Sequence, residues 1–132
     1  MNQHIKAIGR IMQLVVAICV AGLLMSGAAQ GAEMQNSIQA LDVSNGPNGQ
    51  LILKVSLKNA PTALPHDFTV NTPPRIAFDF PDTANGLGKS VQEFNQGDLR
   101  SANIVQAGNR TRLVVNLGQM MAYTTKISGN EI

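Results

Sequence analysis

From about residue 37 onward, apolar residues recur at every second position in short runs separated by turn-forming residues. No other feature of the chain narrows the fold as much. A period of two sends alternate side chains to opposite faces of a strand, one for the core and one for solvent. Residues 50–58 (QLILKVSLK) set Leu51, Leu53, Val55 and Leu57 on one face, with Lys54, Ser56 and Lys58 on the other beside Ile52. Before them, Asn45-Gly46-Pro47-Asn48-Gly49 reads as a turn, so a strand near residues 37–43 is expected to close a hairpin. Residues 68–70 form a shorter candidate strand, ended by Pro73-Pro74. Residues 75–80 (RIAFDF) alternate again up to Pro81, and residues 99–107 and 111–117 flank Gly108-Asn109 as a second hairpin. By alternation, Phe68, Phe78 and Phe80 are assigned to the core. Residues 82–90 (DTANGLGKS) read as a flexible Gly-rich connection between sheets. Residues 91–94 have room for one helical turn, and nothing else after residue 33 has helical periodicity. Gly129-Asn130 signals a further turn into one more strand, which reads as an N-terminal fragment of a longer protein. Short strands at this spacing predict an all-β fold, a small β-sandwich of two short sheets.

The first thirty or so residues have a different character. Lys6 and Arg10 precede an apolar run over residues 11–25, broken only by Gln13, and small residues follow from Ser26 to Ala29. A basic start, a short apolar stretch and a small-residue exit are the parts of a cleavable, helical signal peptide. An uncleaved anchor needs roughly 20 apolar residues, and this run falls short. The cleavage bond stays open: Ala29 and Gly31 fit small residues at −3 and −1, whereas a cut after Ala32 puts Gln30 at −3. A single Arg10 argues against twin-arginine export. Cys19 lies inside the apolar run behind bulky Ile18, which argues against a lipoprotein. The expected division is therefore a signal over residues 1–32 and a β domain over residues 33–132, delivered outside the cytoplasm.

That division changes the chemistry on offer. The whole chain carries a formal charge of +2, yet from Glu33 onward eight bases and eight acids balance. A nucleic-acid footprint needs a basic excess, so no nucleic-acid partner is expected. Cys19 and His4 leave with the signal, and His66 is the histidine that remains. One His with scattered acids does not make a zinc site, and no partner spacing makes His66 a catalytic base. No metal, cofactor or catalytic residue is expected. Gly86, Gly88 and Lys89 lack the order of a phosphate-binding loop. Asn109-Arg110-Thr111 matches a glycosylation sequon by chance.

Two strands carry the same pattern. Residues 75–80 and residues 112–117 (RLVVNL) both run Arg, apolar, small or branched, apolar, Asp or Asn, apolar. The second, fourth and sixth positions share a core face, and Arg and Asp/Asn share the other. Those two polar residues stand roughly 13 Å apart along one strand, so each must find a cross-strand partner or solvent. The echo suggests two quasi-equivalent sheets, one copy in each. Charged residues on a solvent face are ordinary, so the pattern by itself is no site.

Taken together, the exported start, PPRIAFDFPDT, GNRTRLVVNL and MMAYTTKISGN resemble an AMIN domain, of the kind that opens a type IV pilus secretin. The resemblance runs from about residue 36 to residue 130. It implies a β-sandwich that binds peptidoglycan and localises its protein in the periplasm. It also implies a longer chain anchored in the outer membrane. There, regions outside this domain would assemble a homo-oligomeric ring for pilus extrusion with other pilus envelope components. An N-acetylmuramoyl-L-alanine amidase targeting domain and a periplasmic protein–protein adaptor are the alternatives. Without tryptophan, and with a single tyrosine, glycan binding falls to polar groups. Arg75, Arg110 and Arg112 can hold carboxylates with paired hydrogen bonds, and Asp79 and Asn116 are placed to orient them.

Overall fold

The computed structural model describes residues 34–132; the signal expected over residues 1–32 lies outside the described residues. Each alternating run becomes a strand. In chain order these are β1 (Asn36–Asn45), β2 (Leu51–Leu57), β3 (His66–Asn71), β4 (Pro74–Pro81), β5 (Thr83–Asn85), β6 (Val91–Gln96), β7 (Leu99–Ala107) and β8 (Arg110–Leu117). They form two sheets, a three-stranded one ordered β2-β1-β5 and a five-stranded one ordered β3-β4-β8-β7-β6. The predicted β-sandwich of two short sheets is the fold.

The apolar faces meet between the sheets. Ile38, Leu41, Val55 and Leu57 come from the small sheet; Ile76, Phe80, Leu99, Ala102, Ile104, Leu113, Val115 and Leu117 come from the large one. Ile38, Ala102 and Leu113 are fully buried. Ile38 and Leu41 are three apart, which a strict period of two forbids on one face. A register shift between Ile38 and Ala40 resolves this by inserting an extra residue into β1. A second shift between Leu99 and Ser101 does the same for Leu99 and Ala102 on β7.

Both predicted hairpins form: β1 pairs antiparallel with β2 across the Asn45–Gly49 turn, and β7 with β8 across Gly108-Asn109. Gly108 has φ +61°, as the first position of a II′ hairpin turn requires. A third hairpin joins β3 to β4 through Thr72-Pro73, where the peptide bond is cis.

Three expectations are corrected. Residues 91–94 make no helical turn; they belong to strand β6, whose half-buried Gln92 donates a hydrogen bond of 2.8 Å to the Leu41 carbonyl across the sandwich. The Gly-rich connection contains β5, which leaves the large sheet and pairs parallel with β1 in the small one. Gly86 permits that approach, since a Cβ there would lie 2.7 Å from the Ile38 carbonyl oxygen. Finally, the echoed strands are not in separate sheets: β4 and β8 are antiparallel neighbours in the large one.

After β8 the chain crosses back over the open side of the sandwich. Met120 and Met121 pack on the core. Beyond the Gly129-Asn130 turn, Ile132 exchanges backbone hydrogen bonds of 2.8 and 3.0 Å with Val55 on the outer edge of β2.

Candidate functional site

Because β4 and β8 are antiparallel neighbours, their repeated polar positions converge on the solvent face of the five-stranded sheet. The register lays that face out in rungs across the strands. One rung runs His66, Asp79, Arg112, Val105; the next Phe68, Ala77, Val114, Asn103, Val91; the third Val70, Arg75, Asn116, Ser101, Glu93. Arg110 stands one step beyond Arg112, opposite Pro81. All five sequence-selected residues therefore lie on one face, Arg110 and Asn116 roughly 20 Å apart along β8.

Their partnerships differ. Arg112 donates from Nε to Asp79 Oδ1 at 2.7 Å and from Nη2 to Asp79 Oδ2 at 3.0 Å, a bidentate fork with planar specificity. This is the cross-strand pairing that the spacing within one strand demanded. The Arg112 hydrogen bonds hold the Asp79 carboxyl below the usual carboxylate range, against the opposing pull of desolvation, and the charges of Arg112 and Arg110 add to them. Asn116 orients no arginine. Its Nδ2 donates to Ser101 Oγ at 3.1 Å and to Asn103 Oδ1 at 2.6 Å, tying β8 to β7. Arg110 is exposed. Arg75 is half-buried, and its Nε is the one buried side-chain polar atom without a partner among the described residues.

The structure also corrects one assignment. Phe80 is buried and Phe78 half-buried against the core, but Phe68 is 44% exposed. It stands on the solvent face opposite Ala77, and the Arg112 guanidinium lies 5.1 Å from its ring centroid, within cation–π range. Asp67, which alternation does not single out, accepts a hydrogen bond from the Tyr123 hydroxyl, and Tyr123 meets Phe78 edge-to-face with centroids 6.1 Å apart. A cleft of about 920 Å³ opens between the sheets, away from the arginine rungs, lined by residues such as Leu53, Phe78, Met121, Tyr123 and Ile132. Its walls are mainly apolar and hold none of the five selected residues. Among the described residues no cluster of three or more His, Cys, Asp or Glu is arranged to hold a metal ion.

A family model for the AMIN domain matches residues 40–132. The chain belongs to the AMIN domain family. This AMIN domain is 35% identical over 109 residues to the fimbrial assembly protein PilQ of Pseudomonas aeruginosa, covering 83% of the chain and 15% of that protein. It is 33% identical over 113 residues to the type IV pilus biogenesis and competence protein PilQ of Neisseria gonorrhoeae, covering 86% of the chain and 16% of the relative. The same identity over the same length relates it to PilQ of Neisseria meningitidis strain MC58, of which it covers 15%. It thus spans about a sixth of the length of these relatives. No solved structure matches the chain.

Proposed function

We propose that this AMIN domain is a periplasmic peptidoglycan-binding module that localises a type IV pilus secretin. In this reading residues 1–32 are a cleaved export signal and residues 33–132 the binding domain. The outer-membrane pore and its homo-oligomeric ring belong to regions such secretins carry outside this domain. The observation that carries the reading is the convergence of Arg75, Arg110 and Arg112 on one solvent-facing sheet surface. Guanidinium groups there match the carboxylates of stem peptides, and the polar rungs match glycan hydroxyls. Similarity to PilQ proteins supports a secretin over a cell-wall amidase.

Co-sedimentation with purified sacculi tests it. The domain is expected to pellet with sacculi well above a neutral control protein, and absence of such retention would refute glycan binding and favour an adaptor role. Arg75→Ala and Arg112→Ala are expected to weaken retention more than Lys54→Ala. Lys54 is the control because it projects from the other sheet and pairs with Glu131 at 3.4 Å. Equal effects would remove the support for this face.

A further inference from the structure

Within the peptidoglycan reading, on which this inference rests, the face divides its labour. We infer that Phe68 is a sugar-stacking residue on the apolar middle rung, and that Arg75, not Arg112, takes the stem-peptide carboxylate. The two arginines differ in what they already hold. Arg112 Nε and Nη2 both donate to Asp79, and its guanidinium carbon lies 5.1 Å from the Phe68 ring centroid. Two of its donors are already engaged by the protein's own carboxylate. Arg75 makes no ion pair or side-chain hydrogen bond among the described residues, and its half-buried side chain leaves Nε unpartnered.

The middle rung supplies the complementary chemistry. Phe68, Ala77, Val114 and Val91 lie along one line across the sheet, interrupted only by Asn103. Ala77 is covered at 5% exposure, so the surface on offer comes from Phe68 and Val91 at the two ends and the half-buried Val114. Four inter-strand steps make that line roughly 19 Å long. Phe68 and Val91 are 44% and 47% exposed although both are large and apolar. A pyranose ring presents an apolar C–H face bordered by hydroxyls. An aromatic ring offers a negative π face to such hydrogens, while hydrogen-bonding rungs above and below meet the hydroxyls. Arg112 sits over one side of the Phe68 ring, so the sugar is assigned to the other side. Charge favours the same ligand: with Asp79 neutralised by Arg112, Arg75 and Arg110 outnumber Glu93, the remaining acid of the three rungs, and leave a small cationic excess complementary to the carboxylates of a peptide-bearing glycan.

Sedimentation of the whole chain with intact sacculi, and with glycan strands enzymatically stripped of stem peptides, separates these roles. Phe68→Leu keeps apolar bulk without the ring and is expected to lower binding about tenfold on both materials, while Phe68→Tyr retains it. Arg75→Gln is expected to lower binding about tenfold on intact sacculi and to leave binding to stripped strands unchanged. Wild-type retention combined with an unaffected Phe68→Leu variant overturns the stacking role and leaves the peptidoglycan reading intact. An Arg75→Gln loss that is equal on both materials overturns the carboxylate assignment. Failure of the wild-type chain to bind either material overturns both the inference and the reading beneath it.

Discussion

Tyr123 is the chain's single tyrosine, and its hydroxyl donates to the Asp67 carboxylate. That hydrogen bond, with burial and the Asp67 charge adding to it, pushes the phenol up to about 12. The neutral form is the one favoured by folding. Its contribution is complete below the unfolded value near 10 and is lost as pH rises through about 12. Ultraviolet absorbance of the phenolate should show a midpoint near the elevated value, and Asp67→Asn should move it down toward the ordinary tyrosine range. An unchanged midpoint would mean that the contact does not govern the titration. The same scale shows what could be read from the chain beforehand. Arg75, Asp79, Arg112 and Asn116 were found because β4 and β8 alternate cleanly over six residues. Alternation misplaces Phe68 because β3 is a short edge strand whose residues are largely exposed on both faces, so its own pattern carries little information. The missing signal was the turn: closing at Thr72-Pro73 pairs Asn71 with Pro74 and therefore Phe68 with Ala77. Ala77 points outward because Ile76 and Phe78 point in. Register in a tight hairpin thus fixes a side chain that local pattern leaves undecided.

Among the elements, β5 lies furthest from the reach of the alternation rule, which also misses β6. Three residues are too few to display a period, and a parallel bridge to β1 has no hairpin turn to announce it. What holds it is a polar contact inside the sandwich. Thr111 is fully buried on β8, and its Oγ1 donates to the Thr83 carbonyl at 2.7 Å, while Thr83 Oγ1 donates to the Pro81 carbonyl at 2.8 Å. Thr111→Val keeps the shape and removes the donor. It should destabilise the domain by about 1 to 3 kcal/mol, the cost of a buried acceptor left without its partner. A urea titration would show this as a lower midpoint at an unchanged slope. The β1–β2 and β7–β8 hairpins, by contrast, are legible from their Asn-Gly and Gly-Asn turns, while the β3–β4 and β6–β7 pairings are not. The bulges were not, although Ile38 and Leu41 at a spacing of three were a visible departure from period two.

Over the whole molecule, bases and acids balance from Glu33 onward. On the proposed peptidoglycan reading, attraction to an anionic polymer therefore comes from one face and not from net charge. Such local ionic contacts are screened as the Debye length shrinks from about 10 Å at 0.1 M salt to about 3 Å at 1 M. Sacculus retention should accordingly fall across that range without vanishing, because the middle rung is apolar. Retention insensitive to salt would contradict carboxylate capture by arginine. The topology adds a mechanical point. Between β2 and β6 the backbone passes from the small sheet to the large one, returns through β5, and passes back again. Three covalent crossings stitch the layers, so a shearing load on one sheet is transmitted to the other by the main chain as well as by the greasy contact between them.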